Sequence, residues 1–187
     1  FFNLEKINEV ILGCVTQFGE QAGNIAKSSA MFSNFPDSIS GLTVNRFCSS
    51  SLDAINLGYL KIQSQQAENI IAGGIEMMSR VPMLSDEAAI WNDVALASQA
   101  RIFLMGSGAD LIASLYDISR KEADLQALES QKRALNAQQN NHFKSIVPVL
   151  DEQQSIQCIL DECIRPETTI ESLSSLDPSF QKLGEEG

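Results

Sequence analysis

Short apolar runs alternate with amphipathic segments along the first half of the chain. Residues 8–15, NEVILGCV, contain a continuous apolar run, which predicts a strand covered on both faces. The small residues of the segment 19–32 predict a helix that packs closely. Further strands are predicted at residues 43–45 and at residues 69–75, NIIAGGI, where paired glycines indicate close backbone approach. Strands that alternate with helices in this way are typical of an α/β fold with parallel strands.

The stretch TVNRFCSSSLDAIN has the form of a strand end, a tight turn and a helix start, with Cys48 at the junction. Apolar residues then recur at helical spacing, and they are Leu52, Ile55, Leu57, Tyr59, Leu60 and Ile62. A helix that is apolar on so many sides is predicted to be buried. Its N-terminus presents free N–H groups and a partial positive charge, which favour the nucleophilic thiolate. Cys48 is therefore a candidate nucleophile, and the alternative is a packed core thiol.

The character of the sequence changes after residue 85. Polar, weakly periodic sequence beginning DEAAIWNDV predicts a connecting loop. The elements predicted beyond it are a short helix over residues 107–116, a longer helix that a Ser119–Glu122 capping box opens and that runs to about Gln139, and a short strand over residues 143–149. This half of the chain is predicted to form a second, mostly helical subdomain.

Composition narrows the classes of function. With 187 residues, the chain is long enough for one sizeable core, or for one domain with a substantial appendage, and its 44% hydrophobic content is typical of a globular protein. A formal net charge of −11 argues against nucleic acid as the partner. No apolar run is long enough to cross a membrane, and the start lacks the pattern of a signal peptide. The four cysteines lack the spacing of a disulfide framework or a metal site. We therefore expect a cytoplasmic protein.

Six segments occur in the order and spacing of the thiolase family, namely TVNRFCSSSLDAI, IAGGIEMMSRVPM, FLMGSGADLIASLYDISRKEAD, ALESQKRALNAQ, FKSIVPV and RPETTIESLSSLDPSF. The chain resembles the N-terminal and loop domains of a thiolase. This resemblance implies a thiolase-like layered α/β fold. Residues 1–85 are expected to form part of the N-terminal βαβαβ half, and residues 86–187 the inserted loop domain that binds coenzyme A.

The resemblance also implies a chemistry. Cys48 matches the family cysteine that takes an acyl group as a thioester and passes it to coenzyme A or to the enolate of acetyl-CoA. Arg165 and Ser172 match residues that contact coenzyme A, and Met105 matches a residue beside the reacting thioester. Coenzyme A and acyl-CoA are then substrates, with no permanently bound cofactor. A homodimer or homotetramer and a place in fatty acid metabolism are expected.

Several expectations concern what the chain lacks. The first strand of the family and its C-terminal domain, with the activating histidine and a second cysteine, have no match, so the chain alone is expected to be inactive. The one histidine, His142, stands at a position that is not catalytic in thiolases. Glu76 is assigned a structural role. Two alternatives remain: a ketoacyl-synthase-like condensing enzyme, although Asn45, Arg46 and Phe47 replace the D-T-A that precedes its cysteine, and a non-catalytic fragment.

Overall fold

The chain divides into two compact units, Phe1–Ile102 and Phe103–Gly187. The computed structural model describes residues 3–102 and 104–181. The first unit contains three parallel strands and the second contains two antiparallel strands. Because helices alternate with parallel strands in the first unit, the predicted α/β class is confirmed.

The first unit extends beyond the boundary predicted at residue 85, because residues 86–102 belong to it. Within this stretch the indole of Trp91 packs edge-on against the ring of Phe47, with 6.0 Å between the ring centroids. The assignment of the chain beyond residue 85 to a loop domain that binds coenzyme A stays a prediction.

The sheet of the first unit consists of β1 (Glu9–Gly13), β2 (Ser40–Val44) and β3 (Ile70–Gly74) in the order β2-β1-β3. β1 and β3 fall on the predicted apolar runs, whereas β2 begins three residues before the strand predicted at residues 43–45 and ends one residue before it. The predicted parallel arrangement is confirmed. β1 is the central strand, and all but one of its residues are buried because it is paired on both edges and covered on both faces.

Helices α1 (Ile25–Phe32) and α2 (Ser50–Gln63) cover opposite faces of this sheet. Val10 of β1 packs with Ala26 of α1 in the main hydrophobic core. Gly13 lies three residues further along β1 and therefore faces the other side. A Cβ atom added there would lie 2.4 Å from a backbone carbon of α2. The sheet is thus enclosed between two helices.

The helix predicted over residues 19–32 is wrong in its first part. A single 3-10 turn covers Gly19–Gln21, and Gly23 and Asn24 then adopt left-handed conformations with φ of 69° and 80°. The Asn24 side chain accepts a hydrogen bond from the N–H of Lys27 at 3.2 Å and so caps the start of α1. The left-handed pair interrupts the helix that the composition alone favours.

The large apolar residues of α2 lie on its outer surface, so the prediction that this helix is buried all round is wrong. The exposed side chains are Leu52 (58%), Ile55 (51%), Tyr59 (62%) and Leu60 (59%). The buried residues are Ser50, Ala54 and Gly58, which follow one another at a spacing of four and face the sheet. A Cβ on Gly58 would meet the side chain of Ile70 at 3.3 Å. α2 packs on the sheet through these three residues because only small side chains allow the helix to lie so close to the strands.

Two short helices, α3 (Ala89–Asn92) and α4 (Val94–Gln99), replace the connecting loop predicted after residue 85, so that prediction is wrong. The carboxylate of Asp93 accepts hydrogen bonds from two N–H groups in the first turn of α4, at 2.9 and 3.0 Å. An N-terminal cap of this kind starts a helix even where the apolar pattern is weak.

The elements of the second unit are α5 (Met105–Leu115), α6 (Arg120–Gln139), β4 (Val149–Leu150), β5 (Ile156–Cys158) and α7 (Ile170–Ser174). Both predicted helices are confirmed, and the capping box of Ser119 and Glu122 is present at the start of α6. None of the helices within the described ranges combines the length and the apolar character that crossing a bilayer requires.

The strand predicted over residues 143–149 is wrong. Strand β4 begins only at Val149 and pairs with β5 in an antiparallel hairpin. Pro148 precedes it, and a proline has no N–H group to donate to a neighbouring strand. Pairing therefore starts immediately after the proline, at the end of the predicted segment.

We expect Gly13→Ala to destabilise the first unit by about 2 kcal/mol, because overpacking against an immovable neighbour has a cost of this order. The added Cβ would lie 2.4 Å from the carbonyl carbon of Ser50. Gly73→Ala is the matched control, since a Cβ there meets only the side chain of Leu12 at 3.9 Å. Urea denaturation of both variants measures the difference, and equal stabilities would contradict the close packing of α2 on β1.

Candidate active site

Three parallel strands end at one edge of the sheet, and the segments that follow them form the candidate site. Gly13 of β1 is paired with Val44 of β2 and with Gly74 of β3, so the carboxyl ends of the strands lie side by side. The segment with Cys48 follows β2, and Glu76 follows β3. In open α/β sheets this edge is the usual location of a ligand site.

A tight turn over residues 45–49 joins β2 to α2. The side-chain oxygen of Asn45 accepts a hydrogen bond from the N–H of Phe47 at 2.8 Å. The hydroxyl of Ser50 accepts from the N–H of Arg46 at 2.8 Å and donates to the carbonyl of Phe47 at 2.6 Å. Phe47 has a φ of 48°, in the left-handed region that bulky residues rarely adopt. Side-chain hydrogen bonds thus hold a strained change of direction between strand and helix.

Cys48 follows the left-handed Phe47 and lies immediately before Ser49, the N-cap residue of α2. Its side chain is exposed, so the alternative of a packed core thiol is wrong for this residue. Cys14, which directly follows β1, is by contrast buried and only 1% exposed. A helix of 14 residues begins two positions after Cys48, so this residue stands at the end of the helix that carries the partial positive charge.

Glu76 links the segments that follow β1 and β3. Its carboxylate accepts hydrogen bonds from the N–H of Val15 at 2.8 Å and, more weakly, from the N–H of Thr16 at 3.4 Å. The side-chain amide of Gln21 donates to the same carboxylate at 2.9 Å. Gln21 is 1% exposed, and its oxygen accepts from the N–H of Met77. Hydrogen bonds among polar groups therefore connect the segments that follow β1 and β3 at the carboxyl edge of the sheet.

The network changes the ionisation of two of its members. Burial opposes the charged form of Glu76, but the hydrogen bonds from Gln21, Val15 and Thr16 together outweigh it and lower the pKa of Glu76. The Cys14 thiol lies nearby, and its pKa is raised first by burial and then by the negative charge of Glu76. Glu76 is thus held as a carboxylate, whereas Cys14 is held as a thiol.

The residues expected to contact coenzyme A lie in the second unit. Met105 is the first residue of α5, and it is 79% exposed. Arg165 has an exposed side chain, and within the described part of the chain its guanidinium forms no hydrogen bond or ion pair, whereas its backbone N–H donates to Gln131 at 2.7 Å. An exposed guanidinium is suited to stacking or to pairing with phosphate. Its role stays a prediction.

Ser172 has a structural task in addition to its predicted contact with coenzyme A. It is the third residue of α7 and forms a capping box with Thr169. Its hydroxyl donates to the carbonyl of Thr169 at 2.9 Å and accepts from the N–H of the same residue at 3.0 Å. Arg120 of α6 donates to the carbonyls of Leu173 and Leu176, which ties α7 to the long helix. The Ser172 hydroxyl therefore has one free lone pair, with which it can accept a hydrogen bond from coenzyme A.

Across residues 3–102 and 104–181, no group of three or more His, Cys, Asp or Glu side chains is arranged to hold a metal ion.

Sequence reasoning identified Cys48 but missed the contribution of Glu76 and Gln21 to the same edge of the sheet. One signal for Glu76 was available, since it is an acidic residue two positions after a predicted parallel strand. Gln21 gave no such signal, because the partners that join it to the segment after β3 lie 55 and 56 positions further along the chain.

In the native chain, iodoacetamide is expected to modify Cys48 and to leave Cys14 unmodified, because the first thiol is exposed and the second is buried. Cys163 is also exposed and provides the internal reference for an accessible thiol. Peptide mass spectrometry after short exposures measures the three rates. Protection of Cys48 as strong as that of Cys14 would contradict the open turn.

Glu76→Gln is expected to lower the free energy of unfolding at neutral pH. A carboxyl group whose pKa is depressed in the folded state stabilises the fold above its unfolded pKa, and this contribution is lost as pH falls through the folded pKa. The gap between wild type and variant in urea denaturation is therefore largest near neutrality and shrinks on acidification. Glu68→Gln is the control, since that residue is exposed and its carboxylate forms no hydrogen bond or ion pair with a described residue. A gap that does not vary with pH would contradict the assignment.

Comparison with known proteins identifies the family. The family model described as thiolase, N-terminal domain, matches residues 2–185. The crystal structure of an acetyl-CoA acetyltransferase from Bacillus anthracis is similar to this chain with a TM-score of 0.77 and 29% sequence identity, over 95% of this chain and 48% of that protein. The thiolase-like fold that the sequence predicts is therefore confirmed.

Curated relatives agree with this result. A beta-ketoadipyl-CoA thiolase of Pseudomonas putida is 36% identical over 93% of this chain and 48% of its own length. A probable acetyl-CoA acyltransferase of Staphylococcus epidermidis is 38% identical over 96% of this chain and 49% of its own length. The chain spans about half the length of the curated relatives it matches. It belongs to the thiolase family and corresponds to the N-terminal domain that the family model describes.

Proposed function

We propose that the protein that carries this chain is a thiolase, in which Cys48 exchanges acyl groups with coenzyme A. The observation that carries this proposal is the exposed thiol of Cys48 on a strained turn directly before α2, in a chain that belongs to the thiolase family. A nucleophile at the junction of a strand and a helix is open to a substrate and lies close to the positive end of the helix dipole.

The reaction divides carbon–carbon bond cleavage into two steps. The sulfur of Cys48 attacks the 3-keto carbon of a 3-ketoacyl-CoA, and the bond between C2 and C3 breaks. Its electron pair stays on C2, which takes up a proton and leaves as acetyl-CoA. The thiol of a second coenzyme A then attacks the acyl thioester, releases acyl-CoA and restores the thiol of Cys48. The reverse sequence is a Claisen condensation.

The first attack requires a base within hydrogen-bond reach of the Cys48 thiol. The thiolase resemblance assigns this task to the histidine of a G-H-P motif, and His142 stands in the sequence NNHFK instead. We therefore expect this chain by itself not to turn over. Glu76 is not assigned as the base, because its carboxylate is engaged by three hydrogen-bond donors.

The second unit is proposed to bind coenzyme A. The exposed guanidinium of Arg165, which forms no hydrogen bond or ion pair with a described residue, suits a phosphate or the adenine ring. The exposed Met105 is a flexible apolar residue, and the thiolase resemblance implies a role for it near the reacting thioester. One relative is a 3-ketoacyl-CoA thiolase of Colwellia psychrerythraea, which supports 3-ketoacyl-CoA as the substrate class. We further propose that the protein is cytoplasmic, that it forms a homodimer or homotetramer, and that it acts in fatty acid metabolism.

Cys48→Ser is expected to lower the rate of 3-ketoacyl-CoA thiolysis by about 10³-fold or more, the scale seen when a covalent nucleophile is removed. The natural protein that contains this chain is incubated with acetyl-CoA, and mass spectrometry detects one acetyl group on the peptide with Cys48. Cys163→Ser is the matched control, because this exposed thiol has no proposed role and its loss leaves the rate unchanged. Full activity of Cys48→Ser would exclude covalent catalysis at this residue.

A further inference from the structure

A continuous series of hydrogen bonds runs from Glu76 to the turn that carries Cys48. The carboxylate of Glu76 accepts from the N–H of Val15 at 2.8 Å. The carbonyl of Val15 accepts from the side-chain amide of Asn45 at 3.1 Å. The side-chain oxygen of Asn45 in turn accepts from the N–H of Phe47 at 2.8 Å, and Cys48 is the next residue. Three separate segments of the chain are joined in this way.

We propose that Glu76 is a positioning residue that, through Val15 and Asn45, holds Phe47 in the conformation that presents Cys48 to an acyl donor. Its relevance to catalysis rests on the function proposed above. The coupling between Glu76 and the turn is a property of the fold and is testable separately.

The turn needs this support because its backbone is strained. Phe47 has a φ of 48°, and the left-handed region is unfavourable for an L-residue with a Cβ atom. Such conformations persist only where the surrounding structure determines them. Ser50 supports the turn from within α2, through the N–H of Arg46 and the carbonyl of Phe47. Asn45 provides the connection to the remainder of the sheet edge.

A carboxylate suits this position better than an amide. The donors that converge on Glu76 are the N–H groups of Val15 and Thr16 and the amide of Gln21, and a carboxylate presents only acceptors to them. Gln21 is fixed in orientation, since its amide also donates to the carbonyl of Thr16 at 2.9 Å and its oxygen accepts from Met77. A glutamine at position 76 would therefore turn an NH₂ group towards a donor.

Glu76 is the charged residue in this series of hydrogen bonds. The Cys14 thiol faces Glu76 and is held neutral by burial and by that charge. Arg80 is paired with Glu20 at 2.6 Å, and Arg46 of the turn is paired with Asp53. Both arginines are therefore paired with other carboxylates, and the carboxylate of Glu76 accepts hydrogen bonds from backbone and amide N–H groups.

A double-mutant cycle with local hydrogen exchange tests the proposal. In the full chain, Glu76→Gln is expected to speed amide exchange over residues 45–48 by about tenfold relative to the strands, the scale set by losing a charge-assisted hydrogen bond. Asn45→Ala is expected to have a similar effect, and the double variant to add little, because both changes break one series. Glu68→Gln combined with Asn45→Ala is the additive control, since the Glu68 side chain forms no hydrogen bond or ion pair with a described residue.

A purely structural role for Glu76 predicts a different result. Exchange would then rise equally in β1, β2, β3 and the turn, and the two single effects would add, which would overturn the proposal. If Glu76→Gln does not fold, the wild-type chain decides, since protection of residues 45–48 must be lost on acidification before that of the strands. Loss of acyl transfer in Cys48→Ser together with additive exchange effects would refute only this inference. Full acyl transfer by Cys48→Ser together with non-additive exchange effects would refute only the proposed function.

Discussion

The first turn of α2 lies directly against the carboxyl ends of β1 and β3, and the candidate site depends on this close approach. At Gly13 an added Cβ would fall 2.4 Å from the backbone of Ser50, and at Gly74 it would fall 2.0 Å from the hydroxyl oxygen of Ser51. A larger residue at position 13 would have to displace the backbone of the helix, whereas one at position 74 would first displace the side chain of Ser51. Glycine at position 13 thus allows α2 to begin against the sheet, two residues after Cys48.

The close approach has a consequence for the faces of α2. A helix that touches a sheet at this distance presents small residues to it, and the buried residues are Ser50, Ala54 and Gly58. Its larger apolar residues, such as Leu52 and Tyr59, are then directed away from the sheet. Contact distance, rather than side-chain hydrophobicity, decides which face of this helix is buried.

Polar contacts complete the same edge of the sheet. Glu76, Gln21 and Asn45 link the segments after the three strands, and within the described ranges no buried side-chain nitrogen or oxygen lacks a hydrogen-bond partner. Such networks are rigid because each lost partner leaves a costly unsatisfied group. The strained turn at Phe47 is therefore anchored on one side by the helix and on the other by the sheet edge.

Local patterns were sufficient to predict β1, β3, the end of β2, the capping box at Ser119 and the position of Cys48 between a strand and a helix. These features depend on neighbouring residues, and the periodicity of a short segment records them. The left-handed pair at Gly23 and Asn24 and the capped helix α4 escaped this reasoning because single-residue backbone and capping effects outweighed composition.

Tertiary structure alone decided the rest. The burial of α2 through its small face and the meeting of Glu76 with Val15 join residues that are far apart in sequence, 61 positions in the second case. Hydrophobic periodicity reports which side chains prefer burial, but it does not report the distance between a helix and a sheet. The sequence by itself therefore determined which residue carries the thiol, and packing between distant segments decided how that thiol is held.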